Sequence, residues 1–160
     1  MKLPPQAFAV LSLHQLHHEH ERHPLSIGSS PVVYIVDDER VIADTLATIL
    51  QGRGFKAKSF NNPLDALSAA RDNPPDLLIS DVVMPQLSGI ELAIQLKALC
   101  PECKILLFSG QSQTANLLMS ARDNGHDFHL LTKPIHPKDL LLQIQKQDSR
   151  WIANELDSVR

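Results

Sequence analysis

Leu77-Leu78-Ile79-Ser80-Asp81-Val82-Val83-Met84-Pro85 joins an apolar run to a single carboxylate and then turns through a proline. Short apolar runs bounded by turn residues predict strands buried on both faces, and open α/β sheets gather their chemistry at the carboxyl ends of such strands. Asp81 therefore stands where a polar group can be functional, although aspartate also starts turns for purely conformational reasons. The flanking segments decide between these readings.

Upstream, Val32-Val33-Tyr34-Ile35-Val36 is β-branched and apolar and runs into Asp37-Asp38-Glu39, which open a helical stretch with Val41, Ile42, Leu46, Ile49 and Leu50 on one face. Gly52 and Gly54 end that helix. Lys56 to Phe60 reads as a second short strand; Asn62-Pro63 then caps a helix with Leu64, Leu67 and Ala70 at helical spacing, and Asn73-Pro74-Pro75 stops it. Downstream of Pro85, a helix from Gly89 to Leu99 turns Ile90, Ala93, Ile94 and Leu96 inward. Lys104-Ile105-Leu106-Leu107-Phe108 is a fourth strand ending on Ser109-Gly110, followed by a helix with Leu117, Leu118 and Ala121 that closes at Gly125. Phe128 to Thr132 is the fifth strand, ending on Lys133-Pro134, and Pro137 opens a last helix with Leu140, Leu141 and Ile144. Strand and helix alternating in this way, with strands apolar enough to be covered on both faces, predict an α/β fold with a doubly wound five-stranded parallel sheet.

The rest of the chain is read around that domain. Residues 1–30 hold Pro4-Pro5, then His14, His17, His18, His20 and His23, and Gly28-Ser29-Ser30-Pro31 separates them from the first strand. They read as a flexible His-rich extension whose first part suits a short amphipathic helix; without an ordered scaffold its imidazoles fix no metal geometry. Residues 31–147 are expected to form the domain, and 148–160 a tail or extension of the last helix, whose Trp151, Ile152 and Leu156 suit local packing more than docking of a partner. A chain of 160 residues that is 43% apolar is expected to build one core. Its net charge of -3 provides no basic footprint, which argues against direct nucleic-acid binding. No apolar run approaches the roughly 18 residues of a membrane span. Ala7 to Leu13 runs into His and Glu without a small-residue cleavage site, so a cytoplasmic protein is expected. Cys100 closes a helical pattern and faces its negative end, which disfavours a thiolate, so Cys100 and Cys103 read as reduced loop cysteines.

The strand ends supply a constellation: Asp37 and Asp38 after the first, Asp81 after the third, Ser109 after the fourth and Lys133 after the fifth. In a doubly wound sheet these ends converge on one crevice. Three carboxylates held together repel one another, and a hard divalent cation among them, Mg²⁺ by donor type, makes the arrangement intelligible. Lys133 and the Ser109 hydroxyl provide what a phosphoryl group needs, and Asp81 is placed as the nucleophile.

Val36-Asp37-Asp38-Glu39, Asp81-Val82-Val83-Met84-Pro85 with Gly89, Phe108-Ser109-Gly110 and Lys133-Pro134 together resemble the receiver domain of bacterial two-component response regulators, over roughly Val32 to Lys146. The resemblance implies the CheY-like (βα)5 flavodoxin-like fold. It also implies that Asp81 accepts a phosphoryl group from a phosphohistidine of a sensor histidine kinase or histidine phosphotransfer protein and thereby switches binding of an unidentified downstream protein. Asp38, Asp81 and the backbone carbonyl of Val83 would ligate Mg²⁺, with Asp37 assisting through water. Ser109 and Lys133 would contact the phosphoryl oxygens, and the Lys133-Pro134 bond would be cis. Catalysis by Asp81 and Lys133 would be limited to self-phosphorylation and autodephosphorylation.

Two departures from the family pattern stand out. An aromatic residue usually lies three places before the lysine, where this chain has Leu130; counting from Gly125 instead lands on His129, because the loop is one residue longer. No output domain is expected after the receiver, since 148–160 falls far short of the roughly 50 residues a domain needs. A degenerate receiver that binds partners without phosphorylation is disfavoured by the intact acidic cluster. An aspartyl-nucleophile phosphohydrolase of the haloacid-dehalogenase type needs a second aspartate two residues after the nucleophile as general acid, where this chain has Val83.

Overall fold

The computed structural model describes residues 29–110 and 114–151. Its elements alternate without exception: β1 (Val32–Val36), α1 (Arg40–Gln51), β2 (Lys56–Phe60), α2 (Pro63–Asp72), β3 (Leu77–Asp81), α3 (Gly89–Leu99), β4 (Lys104–Ser109), α4 (Thr114–Asp123), β5 (His129–Thr132) and α5 (Pro137–Gln147), then a 3₁₀ turn at Ser149–Trp151. The strands form one parallel sheet in the order β2-β1-β3-β4-β5. The order reverses direction between β1 and β3, and this doubly wound reversal opens a crevice at their carboxyl ends.

Successive strand residues point to opposite faces, so the sheet feeds two cores. Tyr34, Val36, Leu78, Ile105 and Leu107 join α2 and α3 on one face, with Ala121 of α4 at its border. Val33, Ile35, Leu77, Ile79, Leu106 and Phe108 join α1 and α5 on the other. Every residue of β3 is buried. Val33 and Ile35 share a face with Leu77 and Ile79 in this parity, and continuing it past the strand ends brings Asp37 and Asp81 to the same face. The register Val36↔Ser80 sets those two side by side.

Helix termini explain where the chain turns. Asn62 Oδ1 accepts the Leu64 N–H at 2.9 Å ahead of Pro63. Ser88 and Glu91 form a reciprocal capping box that starts α3, a Ser-x-x-Glu signal the sequence carries. Cys100 and Cys103 are free, and both are buried in the core beneath the turn that leaves α3. Trp151 packs against the core shared by α1 and α5. Ile152, Leu156 and the His-rich segment with His14, His17, His18, His20 and His23 lie outside the described residues.

Three details correct the sequence reading. Val41, Leu64 and Leu117 are exposed, not inward, because the buried stripes run through Ala43, Leu46, Ala47 and Leu50 in α1, through Pro63, Ala66, Leu67 and Ala70 in α2, and through Thr114 and Ala121 in α4. Small residues form much of these stripes, and the large side chains beside them stand in solvent. In α3, Leu92 is fully buried while Ile94 is only half-buried. The fifth strand begins at His129 and not at Phe128, since its pairing starts at Leu106↔His129 and the Phe128 ring stacks on His126 instead, centroids 5.8 Å apart.

Candidate functional site

Asp37 and Asp81 leave the ends of β1 and β3 as neighbours, and Lys133 arrives from the end of β5, where its N–H donates to the Ser109 carbonyl at 2.9 Å. The lysine reaches back across the crevice. Its ammonium donates to Asp37 Oδ2 at 2.9 Å and lies 3.5 Å from Asp81 Oδ2. Asp37 is almost fully buried and its other oxygen accepts the Glu39 N–H at 2.9 Å, so its backbone partner fixes one oxygen and Lys133 the other. From the sequence, Lys133 is expected to serve a phosphoryl group alone; here it also neutralises two of the three carboxylates. The Lys133-Pro134 peptide bond is cis.

Asp38 is exposed and faces solvent at the mouth of the cluster. One carboxylate oxygen from each of Asp37, Asp38 and Asp81 lies within 4.8 Å of the others. Mg²⁺ holds six oxygens at about 2.0–2.1 Å, which spaces neighbouring donors by about 3–4 Å. The donor set is all oxygen, nearly at that spacing and open to water on the Asp38 side, so these residues fit the ion.

Burial raises Asp81 above the ordinary carboxylate range; the Lys133 ammonium opposes that rise and Asp37 adds to it. Burial acts to lower Lys133, but its hydrogen bond with Asp37 and the charges of Asp37 and Asp81 hold the ammonium above its ordinary value. The arrangement sets a lysine between Asp37 and Asp81, two carboxylates that burial keeps poorly solvated.

Gly89 makes the crevice possible. Its N–H donates to the Val82 carbonyl at 2.9 Å, and a Cβ built there would lie 1.9 Å from the Asp81 carbonyl oxygen. Only a residue without a side chain lets α3 start this close to the strand that carries Asp81. Val83, two residues beyond Asp81, is 44% exposed beside the cluster. Ser109, buried at the end of β4, follows Phe108, the register partner of Asp81.

Residues 33–145 match the response regulator receiver domain family. The chain belongs to that family. Among its relatives, the response regulator receiver protein CpdR of Brucella abortus is 31% identical over 114 residues, 71% of this chain and 93% of that one. The transcriptional regulatory protein CreB of Escherichia coli is 35% identical over 113 residues, 71% of this chain, and the chain spans about half of its length, 48%. Among solved structures, the chemotaxis protein CheY4 of Vibrio cholerae superposes with a TM-score of 0.65 at 26% identity, covering 74% of this chain and 98% of that one. A CheY-like receiver from Methanospirillum hungatei superposes at 0.66 with 28% identity, covering 76% and 97%. Receiver domains are generally non-enzymatic signalling modules of two-component systems; they bind Mg²⁺ at an acidic pocket and interact with histidine kinases or phosphotransfer proteins.

The receiver brings Asp37, Asp38, Asp81 and Lys133 together, while Ser109 stands at the neighbouring strand end with its hydroxyl on Thr114. Two features escape a reading of the sequence alone. One is Asp37 as the direct partner of Lys133, which no local pattern signals across 96 residues. The other is Thr114, whose hydroxyl bonds that of Ser109; a threonine opening an apolar helical run is the available signal. The positions considered for the family's aromatic residue diverge: His129 is exposed, with Nε2 3.2 Å from Gln143 Oε1, while Leu130 is half-buried opposite Leu107. Among the described residues, no helix is long and apolar enough to cross a membrane.

Proposed function

We propose that this receiver is a phosphoacceptor in a cytoplasmic phosphorelay and that Asp81 carries the phosphoryl group. The observation that supports this most directly is the placing of the Lys133 ammonium 3.5 Å from an Asp81 carboxylate that two further carboxylates adjoin. An Asp81 oxygen attacks the phosphorus of a phosphohistidine on a histidine kinase or phosphotransfer protein, the P–N bond breaks, and its electron pair returns to the imidazole. Lys133, already between Asp37 and Asp81, offsets charge on one phosphoryl oxygen, and the Ser109 hydroxyl donates to another. Asp38, Asp81 and the Val83 carbonyl would hold Mg²⁺, with Asp37 assisting through water, and the ion would supply positive charge beside the transferring group. Autodephosphorylation is attack of water on the acyl phosphate, which releases inorganic phosphate and restores the Asp81 carboxylate.

The complete acidic pocket favours this reading over a degenerate receiver. A phosphohydrolase would need a proton donor for its leaving group, and Val83 provides none where a second aspartate would stand. The output of the switch is binding of a downstream protein, without direct contact to nucleic acid. The test is incubation with Mg²⁺ and acetyl phosphate: a mass gain that hydroxylamine removes is expected in wild type and absent in Asp81→Asn, because an amide forms no mixed anhydride. A full-yield, Mg²⁺-dependent adduct on Asp81→Asn would move the site elsewhere.

A further inference from the structure

Ser109 and Thr114 are joined hydroxyl to hydroxyl, and both are buried, 4% and 1% exposed. They stand on different elements, Ser109 at the end of β4 and Thr114 at the start of α4. That helix has few fastenings. Among its residues only Thr114 and Ala121 are buried, with Leu118 partly so, whereas α3 buries Gly89, Ile90, Leu92, Ala93 and Leu96. The hydroxyl pair is therefore a polar tie between the first turn of α4 and the sheet, at the end of the helix nearest Asp81.

A buried hydroxyl that loses its partner is costly, so when Ser109 turns toward a phosphoryl group Thr114 must follow it or be stranded. Following suits the chemistry. A hydroxyl donates one hydrogen bond and accepts two. With the Thr114 O–H donating to Ser109 Oγ, the Ser109 O–H points its proton at a phosphoryl oxygen, and successive bonds in such a chain polarise one another. We propose that Thr114 is a positioning residue of the phosphorylation switch, holding the Ser109 hydroxyl and carrying its movement into the first turn of α4. This rests on Asp81 being the phosphoacceptor. It also gives the site a route to the outer surface that needs no aromatic ring at Leu130.

The test uses the full chain with Mg²⁺ and beryllofluoride as the phosphoryl mimic, and follows amide exchange of residues 115–123 in wild type, Thr114→Val and Thr114→Ser. Wild type and Thr114→Ser are expected to show the same change in α4. Thr114→Val, which keeps shape but removes the hydroxyl, should need about 3- to 10-fold more beryllofluoride for half-saturation and should lose most of the α4 change even when saturated. Should valine prevent folding, Thr114→Cys, a weak donor of similar size, replaces it with the same loss expected. A wild-type α4 response in Thr114→Val, or a Thr114→Ser that behaves like valine, overturns the proposal. Acetyl phosphate labelling of wild type separates the two levels: no hydroxylamine-labile adduct overturns the Asp81 reading and this one with it, whereas a normal adduct beside an undisturbed Thr114→Val overturns the role of Thr114 alone.

Discussion

The ends of β1 and β3 and the flank made by α4 and β5 border the same cluster but are held very differently. Around Asp81 the backbone is locked: β3 is buried along its whole length, the Gly89 N–H closes onto the Val82 carbonyl, and Asp37 has a partner on each oxygen. On the other flank β5 is an edge strand in which only Leu131 is buried, and α4 shows Leu117 and Met119 to solvent. Reacting atoms need fixed geometry, whereas a surface that reports a chemical event must be cheap to move. The receiver divides these demands between two sides of one sheet.

Two glycines distinguish the flanks by the largest margin. Gly89→Ala places a methyl 1.9 Å from the Asp81 carbonyl oxygen, which backbone alone must accommodate. A loss of about 3 kcal/mol or more is expected in urea unfolding, together with impaired phosphorylation. Gly125, behind α4, has φ +86, and a methyl added there would meet nothing within 4 Å, so Gly125→Ala costs only the left-handed conformation, about 1–2 kcal/mol. Equal losses would mean that the two flanks are equally constrained.

Lys133 tests whether the locked side owes its order to charge. Removing it leaves Asp37 buried without its cation, and Lys133→Ala is expected to lose on the order of 2 kcal/mol, less than a fully buried pair because the lysine side chain is 24% exposed. Mg²⁺ should recover part of this loss, since the ion replaces positive charge between the carboxylates. Asp38→Ala, which removes a proposed ligand, should respond to Mg²⁺ far less than Lys133→Ala does. If the two variants gain equally in melting temperature from Mg²⁺, the division between metal side and phosphoryl side is wrong.

A smaller effect follows from the raised Asp81. A carboxyl whose folded value lies above its unfolded one favours folding below the unfolded value, and that contribution is lost as pH rises through the folded value. In EDTA, Asp81→Asn should therefore melt a few degrees above wild type at neutral pH, and the gap should close as pH falls through the acid range. A gap that widens toward low pH would mean that Lys133 outweighs burial at this carboxylate.

The locked side is legible in the sequence and the soft side less so, for a physical reason. Apolar runs such as Leu77 to Ile79 have no alternative to double burial, and a polar residue ending each run must fall at a strand end, which locates Asp37, Asp81, Ser109 and Lys133 without knowledge of contacts. The α4–β5 flank has no such constraint. Leu117 satisfies helical spacing yet lies exposed, because the stripe facing the sheet is set by a threonine and an alanine. Phe128 looks like a strand residue but finds His126 before it finds β4. Pairings between distant segments, Lys133 with Asp37 and Thr114 with Ser109, depend on side-chain reach in three dimensions that no linear pattern encodes.

The smallest expected effect concerns Leu130. It is half-buried at the edge strand, packs against the core from the α4 side and lines an open groove with Leu118, Met119 and Phe128. Full burial of a leucine is worth about 1.5–3 kcal/mol, so truncating a half-buried one on a face that can settle inward should cost about 1 kcal/mol. Leucine has no hydroxyl to select between two arrangements and no ring to fill the space that Ser109 leaves, and a rotamer change at its position shifts an equilibrium only by the difference in burial between the two states. Leu130→Ala is therefore expected to keep the beryllofluoride-induced change in α4 amide exchange, while Ser109→Ala loses it. The comparison of these two variants separates a switch carried by hydroxyls from one carried by an apolar side chain: if Leu130→Ala abolishes the change and Ser109→Ala preserves it, the soft flank is driven from β5 and not from the end of β4.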